Sequence, residues 1–119
     1  MIKEEIIDKK LNDLSSSSFR SKFKLKENDI LYINEKGIDI IRGHAYDIIS
    51  KRLSRYPIVN DGRQTPMKGH PVFIGQHACG CCCRGCLYKW HSIARDRELT
   101  KNEINYIVKL IMTWIKRQL

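Results

Sequence analysis

The sequence predicts a mainly α-helical (α+β) fold: a small helical domain with a short β element and a metal-bound flap of Cys and His residues. Residues 38–53 place apolar side chains three and four positions apart, which predicts an amphipathic helix. Residues 100–118 repeat this pattern after a Thr-x-x-Glu capping box, Thr100 with Glu103. Residues 71–77, PVFIGQH, are a short apolar run that we interpret as a strand. The two long helices are expected to carry the core, with the strand and the cysteines at one side.

The N-terminal segment, residues 1–18, combines a short helix with a break in the chain. Three aliphatic residues lie at helical spacing within residues 2–14. The four serines of residues 15–18 compete with the backbone for hydrogen bonds and are expected to end this helix. They serve either as a cap for the next element or as a flexible linker that leaves residues 1–18 mobile.

Three shorter elements connect the long helices. Residues 28–36 predict a helix that ends at Gly37, because glycine favours the position after a helix C-terminus. Residues 54–69 contain two prolines and two glycines and predict a loop that is long for a small domain. Residues 87–91 are expected to form one or two helical turns.

The positive charge of the chain is concentrated in one region. With 119 residues and a mass of 14.0 kDa, the chain has the size of a single domain, residues 1–119. Its formal net charge is +9, and residues 48–95 carry +7 of it, with eight basic residues against Asp61. The basic residues are Lys51, Arg52, Arg55, Arg63, Lys68, Arg84, Lys89 and Arg95. Such a region attracts anionic partners, including the phosphates of nucleic acids.

The sequence lacks the patterns that are typical of membrane proteins and of secreted proteins. No run of about 18 apolar residues occurs, so we expect neither a transmembrane helix nor membrane association. The start, MIKEEIIDKKL, has acidic residues where a signal peptide needs a basic end and a long apolar stretch. We therefore expect a cytoplasmic protein. A reducing cytoplasm disfavours disulfides, so the five clustered cysteines indicate metal binding or thiol chemistry.

The spacing of cysteine and histidine residues predicts a metal site. Cys83 and Cys86 form a C-x2-C pair, in which two thiolates close on one metal through a tight turn that Gly85 permits. His91 follows four residues after Cys86, one helical turn away, with its ring pointing back toward that side chain. These three side chains are the first ligand candidates.

The fourth ligand is open to several candidates. The C-x2-C-x4-H spacing begins a zinc-knuckle pattern, but the last position of that pattern is Asp96, a poor ligand for a soft metal. His77, at the end of the predicted strand, is the better candidate, with Cys82 and His70 in reserve. Thiolates combined with imidazoles favour zinc. An iron–sulfur cluster and metal-free buried thiols are the alternatives.

Four stretches of the chain carry a family resemblance. The longest, Asn60–His91, reads NDGRQTPMKGHPVFIGQHACGCCCRGCLYKWH, and it contains the blocks NDG, QTP, GHPVF, CCRGCL and KWH. The other three are SSFRSKFKL, GIDIIRGHAYDII and ELTKNEINYIV. In these blocks the chain resembles the domain of unknown function 4186 family, which is small, mostly bacterial and without an assigned activity.

The resemblance implies which metal-type residues are shared. The family pattern has Thr, Ala and Thr where this chain has Cys79, Gly80 and Cys81, so these two cysteines become weak candidates. It also has Gly in place of Asp96, which weakens that residue as a ligand. The shared metal-type residues are His77, Cys82, Cys83, Cys86 and His91.

Two of the three functions that we consider are binding functions. The preferred one is a metal-stabilised basic module that contacts nucleic acid or another anionic ligand, with Tyr56, Tyr88 and Trp90 available for stacking. The other is a structural zinc domain that serves protein contacts.

The third function is an enzyme that acts on an anionic substrate. A metal with one open position activates a water molecule, with Asp61 or His70 handling the proton and Arg63 or Arg84 holding the substrate. A thiol-based variant of this enzyme uses a cysteine nucleophile activated by a neighbouring histidine or arginine. The nucleophile candidates are Cys82 and Cys83, and the activating candidates are His77 and Arg84.

Overall fold

The structure, a computed structural model, describes residues 2–119, and this part of the chain is helical with no strand. Its helices are α1 (Glu4–Ser15), α2 (Ser18–Ser21), α3 (Glu27–Lys36), α4 (Ile38–Arg52), α5 (Pro71–Ala78), α6 (Arg84–His91) and α7 (Lys101–Gln118). The mainly α-helical prediction is therefore confirmed. None of these helices is long and apolar enough to cross a lipid bilayer.

Helix α7 lies at the centre of the fold and packs against α1, α4 and α5. It starts with the predicted capping box: the Thr100 hydroxyl accepts the Glu103 N–H, and the Glu103 carboxylate accepts the Thr100 N–H. Its buried face extends along the helix and contains Ile104, Ile107, Val108, Leu110, Ile111, Met112 and Ile115. This continuous apolar face explains why one helix organises the core.

The predicted helices α1, α3 and α4 are also present. Helix α3 ends at Gly37, whose φ of 90° lies in the region that favours glycine, as predicted. Helix α4 then starts at once and buries Ile41, Ala45 and Ile49, which belong to the same core as α7.

The predicted strand at residues 71–77 is wrong, because this segment forms helix α5. His70 caps the helix through Nδ1, which accepts the Val72 N–H at 3.0 Å, and Pro71 occupies the first helical position. Almost every side chain of α5 is buried, so the segment has no polar face that would reveal a helical period. The run of apolar letters therefore looks the same as a buried strand.

The structure also corrects the prediction that residues 71–77 form part of a flap at one side, because α5 lies in the interior. It packs against α2, α3, α4 and α7. A Cβ atom added at Gly75 would lie 3.0 Å from Ile111 Cγ2, so glycine permits the close approach of α5 and α7. The cysteines that follow α5 consequently start from a rigid, buried base.

Candidate metal centre

A cluster of three thiols lies at the N-terminus of α6. The Sγ atoms of Cys82, Cys83 and Cys86, here called the thiol cluster, all lie within 4.8 Å of one another. The Sγ atoms of Cys82 and Cys86 are 3.6 Å apart. Cys83 is the N-cap residue of α6, and its Sγ accepts the backbone N–H of Cys86 at 3.3 Å. The structure therefore brings together three of the five predicted ligands.

Asp61 holds the turn that carries the thiol cluster. Its carboxylate accepts the backbone N–H groups of Arg84 and Gly85, both at 3.0 Å, in the first turn of α6. It also accepts a hydrogen bond from Gln64 and forms an ion pair with Arg95. Although partial burial opposes ionisation, these hydrogen bonds and the Arg95 charge hold the pKa of Asp61 below its usual range. Asp61 acts as a helix cap in the structure.

Arg20 places a buried positive charge on the thiol cluster. Its guanidinium donates to Cys86 Sγ at 3.1 Å and to Cys82 Sγ at 3.5 Å. The same group donates to the backbone carbonyl of His77 at 2.7 Å, at the end of α5. Only 8% of the Arg20 surface is exposed, so its charge acts on the sulfur atoms with little screening by water.

The local electrostatics favour a thiolate in the cluster. Hydrogen bonds from the thiols of Cys82 and Cys83, followed by the contact with Arg20, lower the pKa of Cys86 against the effect of burial. The N-terminus of α6 adds a positive dipole at the same place. The cluster is thus prepared for a negatively charged sulfur, which is the form that binds metals.

His77 contacts residues outside the thiol cluster. Its Nε2 atom is 3.2 Å from the carbonyl oxygen of Thr65 and 3.1 Å from that of Pro66. Its ring stacks on Phe23 with a centroid separation of 5.3 Å. Within residues 2–119, the ring nitrogens of His77 are not part of the 4.8 Å group that the thiols form.

His91 also lies away from the thiol cluster. Its Nε2 atom is 2.8 Å from the carbonyl oxygen of Cys79 and 3.6 Å from Cys81 Sγ, while Nδ1 is 2.9 Å from the Tyr106 hydroxyl. Burial lowers the pKa of His91 to about 4, so its ring is neutral at pH 7. The prediction that the His91 ring points toward Cys86 is therefore wrong. The ring instead contacts Tyr106 of α7.

Cys79 and Cys81 are core residues. Both are fully buried and pack in the main hydrophobic cluster. Burial raises the pKa of both thiols, which keeps them protonated. Their placement agrees with their low rank as ligand candidates.

Arg84 does not contact the thiols, which corrects its expected role as the partner of a thiolate or a substrate. It is fully buried, and its guanidinium donates to the backbone carbonyls of Leu53, Ala94 and Arg97. It therefore ties the end of α4 to the segment that precedes α7. The arginine that contacts the cysteine sulfur atoms is instead Arg20.

The other two catalytic candidates lie apart from the thiol cluster. His70 caps α5, and its Nε2 atom is 3.0 Å from Nδ1 of His44. Burial and the neighbouring His44 lower the pKa of His70 to about 4. Arg63 is exposed, and its side chain makes no hydrogen bond or ion pair among the residues described.

The site contains two buried polar residues that no motif of the sequence indicates. Arg20 falls within the family-like stretch SSFRSKFKL, which is the one signal that could have pointed to it. Gln76 is fully buried and donates to the Thr65 hydroxyl and the Cys81 carbonyl. Thr65 in turn donates to the Cys82 carbonyl at 2.8 Å, so the loop before α5 is fastened to the thiol cluster.

Comparison with known proteins supports the resemblance seen in the sequence. No solved structure matches this chain. One family profile, described as Domain of unknown function (DUF4186), matches residues 8–116, which is nearly the whole chain. The match includes α2 with Arg20, the loop with Asp61 and the thiol cluster. The chain therefore belongs to the DUF4186 family.

Proposed function

We propose that this protein binds one zinc ion through the thiolates of Cys82, Cys83 and Cys86. The short separation of the sulfur atoms carries the proposal. Two sulfur atoms bonded to one tetrahedral zinc ion at about 2.3 Å lie about 3.8 Å apart. The Sγ atoms of Cys82 and Cys86 are 3.6 Å apart, and all three Sγ atoms lie within 4.8 Å. Small side-chain shifts would admit the ion.

The charges around the thiol cluster support this assignment. Three thiolates around a divalent cation leave a net charge of about −1. Arg20 supplies one buried positive charge next to two of the sulfur atoms, and the N-terminus of α6 favours the same negative charge. Soft sulfur donors select zinc and related transition metals over magnesium or calcium.

The residues around the cluster favour a structural zinc ion, which would order the turn between α5 and α6. They do not favour a catalytic zinc ion that activates water. In the described chain no fourth histidine, cysteine or carboxylate belongs to the 4.8 Å group, which leaves one coordination position for another ligand. A hydrolytic site also needs a free proton carrier. Asp61 is engaged with backbone N–H groups and Arg95, and His70 is engaged with Val72 and His44.

Titration with cobalt(II) tests the proposal, because thiolate-to-cobalt charge transfer reports each sulfur ligand. We expect the single variants Cys82→Ser, Cys83→Ser and Cys86→Ser each to lose about a third of this absorption and to bind cobalt more weakly. The double variant Cys79→Thr/Cys81→Thr is the matched control, and it should keep the full absorption. Retention in all three single variants, or loss in the double variant, would contradict the proposal.

A further inference from the structure

A large open groove of the described chain lies at the N-terminal end of α5. It has a volume of about 890 Å³ and lies between the α2–α3 connection, the start of α3 and the loop that precedes α5. Its lining combines four lysines with the rings of Phe23, Tyr32 and His70, which together are called its aromatic floor. Here called the basic groove, it is lined by Lys22, Lys24, Lys26, Lys68, Tyr32 and His70, among others.

The lysines of the basic groove are not held by acidic partners, although Lys22 Nζ lies 4.5 Å from the centroid of the Phe19 ring. None of Lys22, Lys24, Lys26 and Lys68 forms an ion pair in the part of the chain that the structure describes, and all four are exposed. The one acid in the lining, Asp29, accepts the backbone N–H of Lys26 at 2.9 Å and so caps α3. The groove therefore has an excess of positive charge that the protein itself does not neutralise.

A second large cavity has a different charge balance. Of about 770 Å³, it lies between α4 and α7, and its acids Glu4 and Asp39 are paired with Lys109 and Arg42. Size alone therefore does not distinguish the basic groove. The unpaired lysines of the basic groove distinguish it from the second cavity.

The arrangement of these lysines suits a chain of repeated negative charges. Lys22, Lys24 and Lys26 occupy alternate positions of the irregular segment between α2 and α3, and Lys68 comes from a separate loop. Lys22 has helical backbone angles and Lys26 has extended ones, and all three lysines line the groove together with Lys68. A row of charges on one wall follows a polyanion better than it encloses a single phosphate.

The floor of the groove favours unpaired bases over a duplex. Phe23 and Tyr32 are half-buried in the lining and contribute apolar ring surface beside the lysines, with Phe23 also stacked on His77. Bases of a single strand expose their faces and stack on aromatic side chains, whereas a duplex hides them. We propose that the basic groove binds single-stranded nucleic acid, with the lysines on phosphates and Tyr32 under a base.

This assignment differs from the one that the sequence suggests. Within residues 48–95, Arg84 is buried on backbone carbonyls and Arg95 is paired with Asp61, so neither is free for a phosphate. Three of the four groove lysines lie outside that range. The proposed site is also separate from the zinc proposal, since it involves no residue of the thiol cluster.

A charge-reversal experiment on the full-length chain tests the proposal. The probe is a fluorescein-labelled oligouridine of about 12 nucleotides, titrated by anisotropy at about 50 and 200 mM salt. We expect Lys22→Glu/Lys24→Glu/Lys26→Glu to bind at least tenfold more weakly, with a salt slope lower by about 2. The control Lys51→Glu/Lys89→Glu/Lys101→Glu changes the net charge equally and should stay within about threefold of the parent. Circular dichroism and metal content of each variant show whether the fold and the thiol cluster are intact.

A second pair of variants tests the aromatic floor. Tyr32→Ala should weaken binding by about tenfold through loss of stacking, while Tyr32→Phe keeps the ring and stays close to the parent.

Three outcomes would overturn the proposal. Equal losses of affinity in the two triple lysine variants would show that the nucleic acid responds to the overall positive charge of the protein and not to the groove. Tighter binding of a duplex of the same length, or no salt-dependent binding at all, would also overturn it.

Discussion

The guanidinium of Arg20 lies 3.1 Å from Cys86 Sγ, although 66 residues separate the two in the sequence. Through this contact, α2 reaches the thiol cluster and the end of α5 at once, because the same guanidinium binds the His77 carbonyl. The arginine therefore links α2 to the thiol cluster and places a positive charge beside it.

Removing this guanidinium should weaken metal binding. In Arg20→Met the sulfur atoms lose their buried cation, and we expect the dissociation constant for zinc to rise by about 10- to 100-fold, as for other residues that support metal ligands. A competition titration with a chromophoric chelator measures it. Arg63→Met is the control, since Arg63 is exposed and its side chain makes no hydrogen bond. Equal affinities in both variants would contradict the role given to Arg20.

Replacing Arg84 should instead affect stability. The variant Arg84→Met leaves the buried carbonyl of Leu53 and the partly buried carbonyls of Ala94 and Arg97 without their donor. An unsatisfied buried polar group costs about 1–3 kcal/mol, so the free energy of unfolding should fall by about 3 kcal/mol or more. Urea denaturation measures this loss, and Arg63→Met should stay within about 0.5 kcal/mol of the parent. A similar small change for Arg84→Met would show that these contacts are not needed.

The cap on α6 should make stability depend on Asp61. Asp61→Ala removes the acceptor of two backbone N–H groups and should lower the free energy of unfolding by about 1–2 kcal/mol. The control is Asp96→Ala, because Asp96 is exposed. Because the folded-state pKa of Asp61 is lowered, its ionised form stabilises the fold above the unfolded pKa of about 4. The difference between the parent and Asp61→Asn should shrink as the pH falls through the folded pKa. A difference that does not vary with pH would contradict an ionised cap.

Stability should also fall in mild acid because of His70. Its pKa is about 4 in the fold, below the unfolded value of about 6.5, so the neutral ring stabilises the fold above pH 6.5. That contribution is lost as the pH falls from about 6.5 to 4. In His70→Asn, which keeps a capping side chain, we expect a smaller loss over this range, with the remainder due to His91. Unfolding curves measured across these pH values test the difference, and identical pH dependence in both proteins would rule it out.

Periodic patterns in the sequence predicted most of the helices. α4 and α7 each have one buried face, and the capping box of Thr100 and Glu103 and the stop at Gly37 depend on local chemistry. The sequence of α5 resembles that of a strand because its side chains are buried on nearly all sides. Pro71 at the first helical position, after a residue able to cap, was the signal that favoured a helix.

The sequence predicts which candidate ligands lie close together where those residues are neighbours in the chain. Cys82, Cys83 and Cys86 meet because a turn and the start of α6 lie between them. The partners of His77 and His91 depend instead on how α5 and α6 pack, and spacing along the chain carries no information on that. Arg20 was missed for the same reason, since only the tertiary fold brings α2 to the cysteines.

The metal content of the purified protein tests the central claim most directly. Elemental analysis by mass spectrometry, combined with thiol counting, compares the parent with Cys82→Ser/Cys83→Ser/Cys86→Ser and with Cys79→Thr/Cys81→Thr. The proposed centre predicts about one zinc ion per chain in the parent and in the core double variant, and almost none in the triple variant. Much less than one metal ion per chain in the parent, or equal zinc in all three proteins, would contradict a thiolate metal centre.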